Sequence, residues 1–189
     1  MSEAERRALA AMALLAGKSP RGLKRLVNTY RLIRVMRGPK GLADLEGDES
    51  KAPLYPYLLF ALACEVGLKT ETAALVAQIA AVKTTHKVMH PLVVCLFSDD
   101  EVEQSLTPLQ IQLRERIRKD DVGQALFIAV RAVYLAATGQ DPRESKPAEF
   151  GEEMSALSDP IFVHYRAQND HFLQAFAEAA RFTFRSSGG

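Results

Sequence analysis

The sequence predicts an all-α protein, an irregular bundle of about seven to nine helices, and three observations carry that expectation. Helix-capping residues or prolines open one apolar or Ala-rich run after another. Period-two runs of β-branched residues are scarce. The one segment that could be a strand, Pro91 to Phe97, has no second strand to pair with. With 189 residues, 48% of them apolar, the chain is long enough to bury a sizeable core. That composition, with only two cysteines, excludes a disordered tail, a collagen-like fibre and a disulfide scaffold.

The elements follow from local chemistry. Ser2 and Glu5 have capping-box spacing, in which the serine oxygen and the glutamate satisfy free amide donors reciprocally, and Ala-rich sequence follows to Ala16. Ser19-Pro20 then supplies a cap and a proline at the first helical position, where its missing donor costs nothing, so a second helix runs to about Met36. Three glycines and two prolines between Arg37 and Pro53 predict a loop. Further helices are expected at Pro56 to Val66, Glu71 to Val82 after a Thr70 cap, from Ser98, Pro108 to Arg118 after a Thr107 cap, Val122 to Thr138 closed by Gly139, and Pro160 to Phe182 with a break near Asn169. Gly139 to Gly151 reads as a surface connection. One compact domain is expected, comprising a basic helical hairpin over 1–41, a loop over 42–53 and a helical body over 54–189.

The net charge of +1 conceals a division. Residues 1–41 hold ten Lys/Arg against two acids, a balance of +8, and the remainder hold fourteen against twenty-one, a balance of −7. No acid occurs from Arg6 to Ala43, so an anionic partner is expected at the amino-terminal part. No apolar run reaches the roughly 18 residues a membrane span needs. The start, with Glu3 and Glu5, is unlike a signal peptide, and Cys64 and Cys95 stand outside any CxxC pattern, so two buried reduced thiols of a cytoplasmic protein are expected.

Two motifs imitate catalytic sites. Gly17-Lys18-Ser19 resembles the end of a phosphate-binding loop, but Met12 stands where the first glycine is required and an Ala-rich helix precedes it instead of a strand. Val93 to Asp100 imitates an apolar strand ending in a magnesium-binding acid, yet Ser98 to Glu101 has capping-box spacing. His86 and His90 could share a helix face, but no glutamate lies between them in the zinc-protease position and no third ligand is evident, so neither a metal site nor a catalytic residue is assigned.

The second helix is the informative segment. At 100° per residue, Leu23, Leu26, Val27, Tyr30 and Ile33 fall on one arc, which predicts a buried stripe. Arg21, Lys24, Arg25, Asn28 and Arg31 occupy the opposite arc with no acid at i,i+4 spacing. The Ser19-Pro20 start presents unpaired amides and the positive dipole end beside Arg21, an arrangement that favours an anion. A solvated basic face, with Asn28 bonded to its own helix, is the plain alternative.

Ser19-Pro20-Arg21-Gly22-Leu23-Lys24-Arg25-Leu26-Val27-Asn28-Thr29-Tyr30-Arg31-Leu32 resembles the Pro-Arg-x-x-Lys-Arg-x-x-Asn-x-Tyr-Arg-Leu signature of KAP family P-loop NTPases. The apolar segment Leu54 to Gly67 and the closing Arg181-Phe182-Thr183-Phe184 are further echoes. In that family the signature follows the nucleotide-binding core and opens the helical region lying against it. The chain lacks the phosphate-binding loop and magnesium-binding acids, so it looks like that helical region without its core. The resemblance implies a lid in which Arg21, with Lys24 and Arg25 next in order, approaches the terminal phosphate of ATP. Ser19, Asn28, Arg31, Arg181, Phe182 and Phe184 would support the phosphate site or the interface. It also implies ATP and Mg2+ bound only through a separate P-loop core, and no hydrolysis by this chain alone. For Phe182 and Phe184, aromatics at alternate positions near the chain end, packing onto their own domain is the favoured placement. A nucleic-acid-binding or acidic-protein-binding module using the same basic face is the alternative.

Overall fold

The computed structural model describes residues 1–17, 19–48, 51–81, 115, 122–137, 139, 141 and 169–182. Among these the chain is all-α. Six α-helices are present, α1 (Glu3–Met12), α2 (Pro20–Glu46), α3 (Tyr55–Gly67), α4 (Thr72–Ala81), α5 (Val122–Ala137) and α6 (Asn169–Phe182), with a 3-10 turn at Lys69–Glu71. The only extended pairing among them is a lone bridge between Asp48 and Lys51. Helices expected from Ser98 and over Pro108 to Arg118, the Pro91 to Phe97 run, His86, His90 and Cys95 lie outside the described residues, apart from Glu115, which is helical.

Helix α3 is the centre of the core. Every residue from Tyr55 to Glu65 is buried, which fits a helix that is apolar all round and is covered on every side. Helices α1, α2, α5 and α6 all pack against it. The α3–α6 contact is aromatic. Tyr57 and Phe60 meet Phe172 edge-on at centroid distances of 4.9 and 5.5 Å, and Phe60 meets Phe176 at 6.0 Å, the arrangement the ring quadrupole favours. At its carboxy-terminal end α3 comes so close to the α1–α2 connection that a Cβ added at Gly67 would stand 1.8 Å from the Leu15 carbonyl oxygen.

The Ser2–Glu5 capping box forms as expected, and Ser19 caps α2 with its Oγ accepting the Gly22 amide at 3.1 Å. The loop expected after Met36 is corrected. Helical geometry breaks at Gly38 (φ 65°, ψ −177°), but Pro39 starts a further helical stretch that reaches Glu46. Gly38 adopts a conformation open essentially to glycine alone, and Pro39 takes a first-turn position that needs no donor. The pair therefore re-initiates a helix where the composition suggests its end. Leu45 is fully buried and Leu42 packs against the core, which holds that stretch in place. The expected 42–53 loop shrinks to the residues after Glu46, where Gly47 at φ 72° ends the helix. No helix of the described residues is long and apolar enough to cross a membrane.

Candidate anion-facing surface on helix α2

The start of α2 is set by the turn before it. Gly22 faces the Ala16 carbonyl oxygen so closely that an added Cβ would lie 2.8 Å away, and this fixes the first turn against the α1–α2 connection. From Ser19 to Arg25 every other residue is exposed, so the helix start projects from the body. Leu23 is 38% exposed for this reason, which corrects its placement in the buried stripe. The stripe begins at Leu26 and continues through Tyr30 and Ile33, all fully buried, with Val27 packed at its edge.

Arg21, Lys24, Arg25, Asn28 and Arg31 lie exposed on the opposite face, as the wheel predicts. Arg21, Lys24 and Arg31 form no ion pair with any described residue. The helix start contributes fewer open donors than the sequence suggests. Pro20 has none, Ser19 Oγ takes the Gly22 amide, and the Ser19 carbonyl takes the Leu23 amide at 3.2 Å. An anion arriving there would meet the Arg21 side chain with little help from the backbone.

The other two arginines of α2's first stretch serve the fold. Glu5 is fully buried on α1, and its carboxylate accepts bonds from the Ser2 amide, the Tyr30 hydroxyl and Arg34. Arg34 also reaches Glu46 at 3.0 Å, so one guanidinium joins α1 to both parts of α2. Tyr30 therefore spends its hydroxyl inside the core, on Glu5. Burial, then the bond to Glu5 and its charge, push the Tyr30 phenol far above its ordinary range and keep it protonated. Arg37 makes a two-pronged pair with Glu178 on α6, just before the Gly38 break. The sequence marks Glu5 only as the capping-box acid and gives no structural role to Gly22, Arg34, Arg37 or Gly67. The i,i+4 placement of Tyr30 and Arg34 beside the buried stripe was the available signal, since two such donors facing inward require an acceptor.

The carboxy-terminal candidates separate. Arg181 is exposed and Phe182 packs partly buried against the protein's own core, while Phe184 lies outside the described residues. An open hollow of about 650 Å³ lies between Ser2, Glu46, Asp48, Lys51, Tyr55 and Ala136. Lys51 there bonds Asp44 at 2.7 Å, so the hollow offers an anion no uncommitted cation. Among the described residues no three His, Cys, Asp or Glu side chains gather as a metal site.

No protein family, curated protein or solved structure matches the chain in sequence or fold.

Proposed function

We propose that the chain is the helical lid of a KAP-like P-loop NTPase, placing Arg21 near the terminal phosphate of ATP held by a separate core. The observation that carries this reading is the division of labour among the cations of α2. Arg34 and Arg37 are bound into the fold, whereas Arg21, Lys24 and Arg31 stand outward on a projecting helix start without an acidic partner among the described residues. Arg21 lies in the first turn and Arg31 about 15 Å further along the axis, so one phosphate engages the Arg21 end and not the whole row. The Glu5–Arg34 and Arg37–Glu178 pairs join α2 to α1 and α6, so a pull on the helix start is passed to the body. Nucleotide state then biases lid position through one charge-assisted contact. Such a bond is worth about 1.5–3 kcal/mol, roughly a 10- to 100-fold change in the closed fraction.

The chain supplies no phosphate-binding loop, and turnover belongs to the core. The test is association with a KAP-family P-loop core domain supplied as a separate protein, measured by titration with ATP or ADP and Mg2+. ATP is expected to tighten binding about tenfold or more, and Arg21→Ala to abolish that difference without changing the melting temperature. Equal affinity in both nucleotides, or an unchanged response in Arg21→Ala, contradicts the proposal. Duplex DNA binding that weakens with salt at a slope of about −0.9 per phosphate contacted, and is lost in a Lys24→Ala/Arg25→Ala double variant, would assign the face to nucleic acid instead.

A further inference from the structure

The hollow beside Tyr55 is rich in acceptors. Its lining side chains carry two carboxylates, Glu46 and Asp48, against one ammonium, Lys51, and that ammonium is bonded to Asp44 at 2.7 Å. Arg34, which holds Glu46 at 3.0 Å, is shared with the buried Glu5. The Glu46 side chain stays 48% exposed, and a carboxylate has more acceptor sites than one guanidinium nitrogen fills.

Tyr55 supplies an independent observation. It is only 6% exposed and lines the hollow, yet its hydroxyl forms no hydrogen bond with any described residue. The hydroxyl is not sealed either, since the fully covered side-chain atom without a partner among the described residues is His171 Nδ1. A deeply placed phenol ordinarily finds a partner, as Tyr30 does on Glu5, so an unpartnered one on a cavity wall is a bond left open to an outside group. Burial, then the Glu5 charge, hold the Tyr55 phenol above its ordinary 10.0, and at neutral pH it is an uncharged hydroxyl able to accept. Helix ends of both signs border the hollow, the starts of α1 and α3 and the ends of α2 and α5, so side chains and not helix dipoles decide the sign of a ligand.

We infer that this hollow is a binding site for an aliphatic ammonium, with Glu46 and Asp48 opposing its charge, the Tyr55 hydroxyl accepting one N–H, and Ala52, Pro53 and Ala136 flanking its carbon stem. A volume of about 650 Å³ is of the size that holds a small molecule. Among the described residues no three His, Cys, Asp or Glu side chains gather, so the acceptors suit a group with several N–H donors and not a bare metal ion. The site shares no residue with the outward face that carries Arg21, and it requires no nucleotide.

The experiment titrates isotope-labelled full chain with n-butylamine at neutral pH and low salt. Saturable shifts are expected in the backbone signals of Asp48, Tyr55 and Ala136. Tyr55→Phe should weaken binding about tenfold or more, the loss expected for a hydrogen bond to a charged group, and leave the melting temperature unchanged because the hydroxyl bonds nothing within the protein. Asp48→Asn should weaken it several-fold. A lysine dipeptide with blocked ends separates the two sources of the group: binding equal to that of butylamine assigns the site to an ammonium from either source, and weaker binding assigns it to a free amine. An absence of saturable shifts, an unchanged affinity in Tyr55→Phe, equal shifts from n-butanol or from tetramethylammonium, or displacement of the amine by inorganic phosphate bound at the same residues would overturn the inference.

Discussion

At the scale of single residues, the strongest commitment in the protein is the Glu5 carboxylate. A fully buried charge is tolerable only when it is paired and hydrogen-bonded, and Ser2, Tyr30 and Arg34 supply that environment. Removing one side of the pair is the costly change. Glu5→Ala should lower unfolding free energy by about 1–3 kcal/mol, read from urea denaturation, because it strands the buried Tyr30 hydroxyl and leaves Arg34 with Glu46 alone. Glu5→Leu combined with Tyr30→Phe and Arg34→Met should recover most of that loss, since all the buried polar partners then leave together. Alkaline pH probes the same centre. Burial, followed by Glu5, raises the Tyr30 phenol above its ordinary 10.0, and burial, followed by the Glu65 charge, raises the Cys64 thiol above its ordinary 9.0. The folded protein thus keeps protons that the unfolded chain releases. Their stabilisation is complete below about pH 9 and falls as pH rises, each group contributing a slope of up to about 1.4 kcal/mol per pH unit. Urea midpoints measured from pH 8 to 11 should show this decline, with a shallower slope in Tyr30→Phe.

At the scale of elements, the sequence was most legible where a local rule acts alone. The Ser2 and Ser19 caps follow from a side chain meeting its own backbone, the start of α2 at Pro20 from a fixed φ and a missing donor, and the Gly139 turn after α5 from glycine's freedom at positive φ. Gly38-Pro39 was misleading because the same residues end one helix or begin the next, and the choice was made by burial of Leu45, a tertiary fact. Leu23 failed for the converse reason. Its wheel position is apolar-facing, but at the start of the helix the body covers it only in part and leaves it 38% exposed. Gly67 belongs to the illegible set, as no local pattern announces that another segment's backbone will pass beside it. Gly67→Ala should destabilise by about 1–3 kcal/mol, the usual cost of overpacking, and lower the midpoint of thermal unfolding. An unchanged midpoint would mean that the α1–α2 connection can retreat from α3, contrary to the 1.8 Å approach.

At the scale of the whole molecule, the amino-terminal excess of positive charge has two uses. Arg6 and Arg7 pair with Glu3 within α1, whereas Arg34 with Glu5 and Glu46, and Arg37 with Glu178, tie separate helical stretches together. The wheel therefore identified the outward face correctly, while the charge count overstated how much of the excess is left outside ion pairs. Outward on α2 before Gly38 stand Arg21, Lys24, Arg25 and Arg31, beside Leu32, Val35 and Met36, an apolar group that the charge reading did not weigh. The proposed arrangement is a helical body assembled around α3 in which α2 faces the terminal phosphate of a nucleotide held by another domain. Photo-crosslinking tests its central claim most directly, using an ATP analogue with the reactive group on the terminal phosphate, bound with Mg2+ to the P-loop core in the presence of this chain. The account predicts that the label falls on the peptide containing Arg21 and that Arg21→Ala prevents it. Labelling confined to the core, or distributed over this chain regardless of Arg21, would contradict the account.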